Sequence, residues 1–437
     1  MTTYNPVLNS IKLSVDYHFL KLKYFCEVKD GTHDTPEYVD AGENTYPLVT
    51  SKDINDGIMS FKTAKHISEE DYLAINRRSN VEKYDVIMPM IGTIGNPAII
   101  DTDEKFSIKN VALFKINGDL TKAKYLKYLL SSEIVQKQIS LLNRGGVQSF
   151  LSLGVLENIS ITTSNALNIN NIVAYLDLKT SVIDELISSK LRLIQLLEEK
   201  RQSIITEAVI KGLNPNVKMK SSGIEWIGEI PAHWEVKKIK RIVLEHKQGF
   251  YTTEDYNDDG VKLIRITDIN KKSQVDVTNS PRVNISDREK KIFRVYKGDF
   301  LFARTGGAGS FGLIENSSEE AVFASYLIRF RFIDEVCTNF LKYYFISNAF
   351  KNGINSSVHG GVNQNVHAED IKNQTIVIPP FTEQNSIADS LDNKVNNIDN
   401  LVELVATQIQ KLKEYRQSLI YEAVTGKIDI RNFEVVS

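Results

Sequence analysis

Arg201-Gln202-Ser203-Ile204-Ile205-Thr206-Glu207-Ala208-Val209 returns as Arg416-Gln417-Ser418-Leu419-Ile420-Tyr421-Glu422-Ala423-Val424, with seven of nine positions identical and an offset of 215 residues. The same offset aligns Asp53-Ile54-Asn55 with Asp268-Ile269-Asn270, Leu126-Lys127-Tyr128 with Leu341-Lys342-Tyr343, and Gly145-Gly146-Val147 with Gly360-Gly361-Val362. Asp85-Val86-Ile87 and the later Gly92-Thr93-Ile94-Gly95 parallel Asp299-Phe300-Leu301 and Gly306-Gly307-Ala308-Gly309 at an offset of 214. Motifs that stay in order and in register over this distance identify a tandem duplication.

Upstream of each quoted stretch lies a long heptad pattern. Leu176, Ile183, Lys190, Leu197 and Ile204 are spaced by sevens in the first half, with Leu186/Ile187 and Leu193/Ile194 between them. Leu391, Ile398, Val405, Leu412 and Leu419 repeat the pattern in the second. Such a stripe predicts a long helix that needs an apolar partner, and the simplest partner is the other helix. A 40-residue helix is about 60 Å long, whereas a 160-residue globule has a radius of gyration of only about 15 Å. Antiparallel pairing spares the chain a return along that length, so the helices are read as an antiparallel two-helix coiled coil. Lys190, aligned with Val405, either sets the register or lies solvated at the edge of the seam.

The rest of each half alternates short β-branched runs, such as Tyr46–Val49, Val86–Met88 and Leu263–Ile266, with Gly, Asn and Asp turns. Helical patterns over Ala123–Ile139 and Asn339–Ile354 interrupt them. The expected class is α+β: two pseudo-twofold-related α/β globules separated by the coiled coil. The expected boundaries are a globule at 1–165, a helix at 166–211, a globule at 212–380, a helix at 381–426 and a tail at 427–437.

Hydrophobic residues make up 42% and charged residues 25% of the 437, which excludes a disordered or fibrous chain. The net charge of −2 gives no general support for a nucleic-acid or membrane partner. Any such partner must be argued from local pattern. Cys26 and Cys337 are far apart, which speaks against a disulfide framework or a thiolate zinc site and for thiols in a reducing compartment. The N-terminus lacks a signal-peptide pattern and no apolar run is long enough to span a bilayer, so the expected location is cytoplasmic.

Motifs that resemble catalytic signatures read better as structure. Gly307-Ala308-Gly309-Ser310-Phe311-Gly312 matches GxGxxG, but no amphipathic helix follows, and Pro97 breaks the pattern in the first half. A backbone turn brought close to a partner is the preferred reading. Ile378-Pro379-Pro380-Phe381 lacks the polar first residue of an amino-methyltransferase loop, and its prolines stop a strand before a helix that starts at Thr382 or Asn385. The sequence contains no GxxxxGK[ST], no Pro-Asp dipeptide and no HExxH. The expected role is therefore non-catalytic, with no cofactor and no metal. Between Glu235 and Arg304, 16 basic residues face 11 acidic ones; between His18 and Ile161, 17 face 19. Only the second globule carries an excess suited to phosphates.

Four further segments bear on identity: Asp30-Gly31-Thr32-His33 with Thr35-Pro36; Gly223-Ile224-Glu225-Trp226-Ile227-Gly228-Glu229-Ile230-Pro231-Ala232-His233-Trp234; Pro379-Pro380 with Glu383-Gln384; and Arg416–Ile420 with Glu422-Ala423-Val424-Thr425-Gly426. On these, and over essentially its full length, the sequence resembles a type I restriction-modification specificity subunit. The resemblance implies two target recognition domains, each reading half of a split sequence in double-stranded DNA. It also implies two conserved helices packed antiparallel as a spacer, on which two methyltransferase subunits dock and which restriction/translocase subunits join. The first half departs from the pattern, with Ser164-Asn165 and Asn168-Ile169 where the second has Pro-Pro and Glu-Gln.

Base edges in the major groove are told apart by paired donors and acceptors, so polar residues near the glycine turns are the candidates. They are Thr50, Ser51, Lys52, Arg144 and Gln148 in the first half, and Arg265, Thr267, Arg304, Asn363 and Gln364 in the second. A coiled-coil scaffold or adaptor that binds only proteins is the competing expectation.

Overall fold

The computed structural model describes residues 8, 11–92, 94–142, 150–253, 255–305, 309–316, 319–357, 365–430 and 433. The chain divides into two compact units: Met1–Leu191 with Thr407–Ser437, and Arg192–Ala406. The division falls inside two long helices, Ala166–Lys211 and Phe381–Thr425, so each unit combines a mixed α/β head with part of both.

In the first unit, strands β1 (Glu27–Asp30), β2 (Thr45–Val49), β3 (Lys65–Ser68), β4 (Val86–Pro89), β5 (Ala98–Ile99), β6 (Ser107–Ile108) and β7 (Val111–Lys115) build two sheets. One is antiparallel, ordered β1-β7-β4-β5; the other is ordered β3-β2-β6, with β2 and β6 parallel. The second unit repeats this order with β8 (Val243–Gln248), β9 (Val261–Ile264), β10 (Arg282–Val283), β11 (Phe300–Ala303), β12 (Phe311–Leu313), β13 (Ala321–Phe323) and β14 (Leu327–Phe332). Its sheets are ordered β8-β14-β11-β12 and β10-β9-β13, with β9 and β13 parallel. β4 and β11 are buried along their whole length, as central strands covered on both faces require.

Each expected helix in the heads is two helices. Leu120–Ser131 and Glu133–Leu142 flank Ser132, and Thr338–Ile346 and Asn348–Ser357 flank Ser347. Both serines are extended and fully buried. Each hydroxyl donates at 2.6 Å to a carbonyl three residues back, of Leu129 or Tyr344, which satisfies the group that the break frees.

In the first unit's core, Met88, Phe114, Leu126 and Leu130 join Ile172 and Leu176 of the first long helix and Ile420, Ala423 and Val424 of the second. In the second unit, Phe300, Phe302, Phe330 and Phe345 join Ile205, Ala208 and Val209 of the first long helix and Ile387, Leu391 and Val395 of the second. Of the predicted seam, Leu176, Ile183, Leu391, Ile398, Val405 and Leu419 are buried, while Leu197, Ile204 and Leu412 are half-buried. Ile205, not Ile204, is fully buried. A straight helix drifts about 20° per heptad against a strict seven-residue repeat, so the buried stripe moves by a residue where the helix enters a head.

Asn165 starts the first long helix, its Oδ1 accepting from the Asn168 amide at 2.9 Å. The second follows Pro380 directly. There the buried Gln384 accepts from the Cys337 amide at 2.8 Å and donates to the Pro379 carbonyl at 2.9 Å. Both cysteines are free, and burial pushes the Cys26 thiol up to about 12.

Candidate nucleic-acid interface

The strand order brings four chain segments to one corner of each head. At the end of β1 the Gly31 amide donates to the Val111 carbonyl, and the Thr32 amide donates to Ile108. At the end of β8 Gly249 donates to Leu327, and Phe250 donates to Phe323. A Cβ on Gly31 would lie 1.8 Å from the Ile108 oxygen, and one on Gly249 would lie 2.1 Å from that of Ala324. Glycine is therefore required at both positions by the close approach of backbone.

The second segment is the turn after β2 or β9. In the first head the Thr50 amide and hydroxyl both donate to Asp53 Oδ2 at 2.8 Å, and Thr63 donates to Oδ1 at 2.7 Å. In the second head the Arg265 amide donates to Asp268 Oδ2 at 2.8 Å, its guanidinium donates to Oδ1 at 3.0 Å, and Ser280 donates to Oδ2 at 2.9 Å. The Asp53/Asp268 repeat is thus a pair of buried turn anchors. The third segment, after β6 or β13, and the fourth, after β4 or β11, meet through main-chain bonds. The Met90 amide donates to Asn110, and the Arg304 amide to Tyr326. Leu151 then donates to Met90, and Val366 to Arg304.

The side chains on this shared frame differ. In the first head the His33 ring lies 2.9 Å from both Asn110 Oδ1 and Asp30 Oδ2, and Asp30 is also paired with Arg78. Phe150 packs edge-on against the His33 ring, and Lys109 bonds Thr35. In the second head the corner carries the half-buried Arg304 and the exposed Tyr251 and Tyr326.

Of the sequence candidates, Ser51, Lys52 and Thr267 stand on the turn with accessible side chains, and Arg304 stands on the loop after β11. Thr50 and Arg265 are at the corner, but their side chains are engaged in closing the turn. Arg144, Gln148, Asn363 and Gln364 lie outside the described residues. The corners also hold His33, Asn110, Tyr251 and Tyr326, which were not among the sequence candidates. For His33 and Tyr251 the signal lay in the match of Lys29-Asp30-Gly31-Thr32-His33 with Lys247-Gln248-Gly249-Phe250-Tyr251, offset by 218 rather than 215. Among the described residues no group of His, Cys, Asp or Glu is arranged to hold a metal ion, and no helix is long and apolar enough to cross a membrane.

The family model for the type I restriction modification DNA specificity domain matches twice, over residues 14–190 and 231–414. The chain belongs to this family. The MjaVIII specificity subunit of Methanocaldococcus jannaschii is 23% identical over 97% of this chain and 96% of its own length. The EcoKI specificity subunit of Escherichia coli is 22% identical over 70% of this chain and 65% of its own. A solved chain from work on the assembly and conformational transition of the type I R-M system superposes with a TM-score of 0.70, at 15% identity, over 96% of this chain and all of that one. This specificity subunit thus carries its DNA specificity domain in duplicate, one copy per head, and it is a recognition component rather than a catalyst.

Proposed function

We propose that the subunit reads a bipartite site in double-stranded DNA, one half-site per head, and docks two methyltransferase subunits and the restriction/translocase subunits in the cytoplasm. The observation that carries this reading is the corner built twice from equivalent main-chain bonds but furnished with different side chains. One frame with two sets of donors and acceptors is what two unlike half-sites require. The heads are taken as residues 1–165 and 212–380, the spacer helices as 166–211 and 381–426, and the tail as 427–437.

The spacer is assigned as an antiparallel pair. Within the first unit Arg416 Nε lies 3.0 Å from Asp184 Oδ1, and within the second Arg201 Nε lies 3.1 Å from Asp399 Oδ1. Each pair is the other shifted by 215 residues with the two helices exchanged, the pattern that antiparallel pairing of duplicated helices produces. The exposed Leu178, Val182 and Leu186 of the first unit and Leu401 and Leu404 of the second supply apolar surface for the methyltransferase subunits.

The test is a mobility shift of the chain with its methyltransferase subunits on DNA containing the methylated sequence found by mapping the host's modified bases. A sequence-specific band is expected, and Arg304→Ala should weaken it by about 1–3 kcal/mol. A complex that shifts no DNA selectively would leave the protein-only scaffold as the better reading.

A further inference from the structure

The second unit contains a recess of about 390 Å³ bounded by the turn after β9, the approach to β12 and the second-unit part of the first long helix. Arg201, Lys271 and Lys351 line it together with Gln202 and Ser310, and no carboxylate is among its described lining residues. Asp399 lies next to it, 3.1 Å from Arg201 Nε and 3.3 Å from Lys272 Nζ, yet that Arg201 N–H has no aligned acceptor among the described residues. Among the described residues no ion pair holds Lys271 or Lys351, and the Lys351 ammonium has only Gln202 Oε1, at 3.5 Å. Desolvation, and then the like charge of Arg201, hold Lys351 below the ordinary lysine value. Three cations with one neighbouring carboxylate leave positive charge that an anion would relieve.

The first unit treats the equivalent place differently. Lys351 corresponds to Gln136, whose amide folds inward to donate to the carbonyls of Gly95 at 2.8 Å and Leu130 at 2.6 Å. The turn that carries Lys271, Lys272 and Ser273 is there the two-residue Asp56-Gly57, whose Gly57 carbonyl accepts from Lys127 at 3.1 Å. Arg416, the counterpart of Arg201, has its guanidinium on both oxygens of Asp184, at 3.0 and 3.4 Å. An acid and an amide replace two lysines, so among the described residues the Lys271/Lys351 pair belongs to the second half. It also absorbs Gly309 and Ser310 of the GxGxxG match, whose pattern the first half does not keep.

We propose that this recess binds a phosphate group, supplied by the DNA backbone beside the half-site that the second head reads. This assignment rests on the DNA-reading function proposed above. Lys351 and Lys271 neutralise the phosphate and Arg201 donates to it from the helix, so the second head grips the backbone where the first does not.

The test uses the full chain with its methyltransferase subunits, as wild type and as Lys271→Gln/Lys351→Gln, the latter change installing the first half's own residue. DNA affinity is measured over a salt series on target and unrelated duplexes. The double variant should bind both duplexes more weakly, flatten the slope of log affinity against log salt by about one unit, and leave the methylated sequence unchanged. An unchanged slope, or an altered target sequence, would overturn the proposal. Thermal stabilisation by inorganic phosphate that only the wild type shows, with an unchanged DNA slope, would assign the recess to a free phosphate compound and overturn the DNA source. If the wild type binds DNA without selecting sequence, the reading function falls, while the slope on any duplex still decides the recess. Matching melting curves for variant and wild type keep misfolding out of the comparison.

Discussion

Arg329 is 1% exposed and carries its charge inside the second unit. It donates to Glu245 at 2.5 Å and to the Arg294 carbonyl at 2.6 Å, while Arg331 bonds Asp299 and Glu245, both at 2.8 Å. Removing Arg329 empties a buried site and takes a donor from Glu245 and from the Arg294 carbonyl, while Asp299 keeps Arg331; Arg329→Ala should therefore cost about 1–3 kcal/mol in chemical denaturation. The network also carries a pH signature. Partial burial opposes charge on Glu245, but Arg329 and Arg331 outweigh it and lower its pKa below the ordinary 4.5. A depressed carboxyl stabilises the fold fully above its unfolded value and loses that contribution as pH falls through the folded one. Urea midpoints should therefore fall more steeply below about pH 4.5 for wild type than for Glu245→Gln; parallel profiles would show that Glu245 contributes nothing. Asp299 and Asp85 were visible in the sequence as repeat markers, but not as buried anchors of distant cations. The partners, Arg331 and Lys115, are 32 and 30 residues away, and no local pattern joins them. Arg265 illustrates the same limit: its type suits base recognition, and only its 3.0 Å bond to Asp268 reveals a turn clamp.

At the scale of elements, the long helices were the most legible part of the chain, because an apolar seven-residue period sustained from Leu176 to Ile204 and from Leu391 to Leu419 fits a long packed helix and little else. The period did not separate core from surface within the helix. Ile183 is buried, whereas Leu186, also in the apolar pattern, is 45% exposed. Lys190, read either as a register device or as a solvated edge, is half-buried and donates to Gln408 at 2.6 Å. The two kinds of leucine should respond differently to substitution. Leu391→Ala deletes a fully buried side chain and should cost about 2–5 kcal/mol. Leu178→Ser/Val182→Ser/Leu186→Ser alters an exposed stripe at four-residue spacing, so each change should move stability by only about 0.5 kcal/mol. The triple variant should nevertheless weaken methyltransferase binding in pull-down and calorimetry. Undiminished binding would remove that stripe from the docking surface. The head helices were less legible, because Ser132 and Ser347 break them without glycine or proline.

For the molecule as a whole, the duplication made two heads and two helices readable before any coordinates, since offsets of 214 and 215 persist from Asp53 to Val424. The corners proposed to read DNA were only partly legible. They assemble from turns, which carry no period, and the segment before His33 and Tyr251 follows a different offset. On the proposed antiparallel spacer, the helix length between the pairs Asp184–Arg416 and Arg201–Asp399 sets how far apart two half-sites can lie. Removing Ser188–Ile194 together with Ala406–Leu412 takes one heptad from each helix between those pairs and preserves the apolar phase on both sides. The spacer then shortens by about 10 Å, close to three base pairs at about 3.4 Å each. Neither corner is touched, so both half-site sequences should persist while the unread gap between them contracts by about three base pairs. Mapping methylated bases in cells carrying the shortened subunit and its partners reads both quantities at once. An unaltered gap with retained methylation would mean that something other than these helices sets the distance.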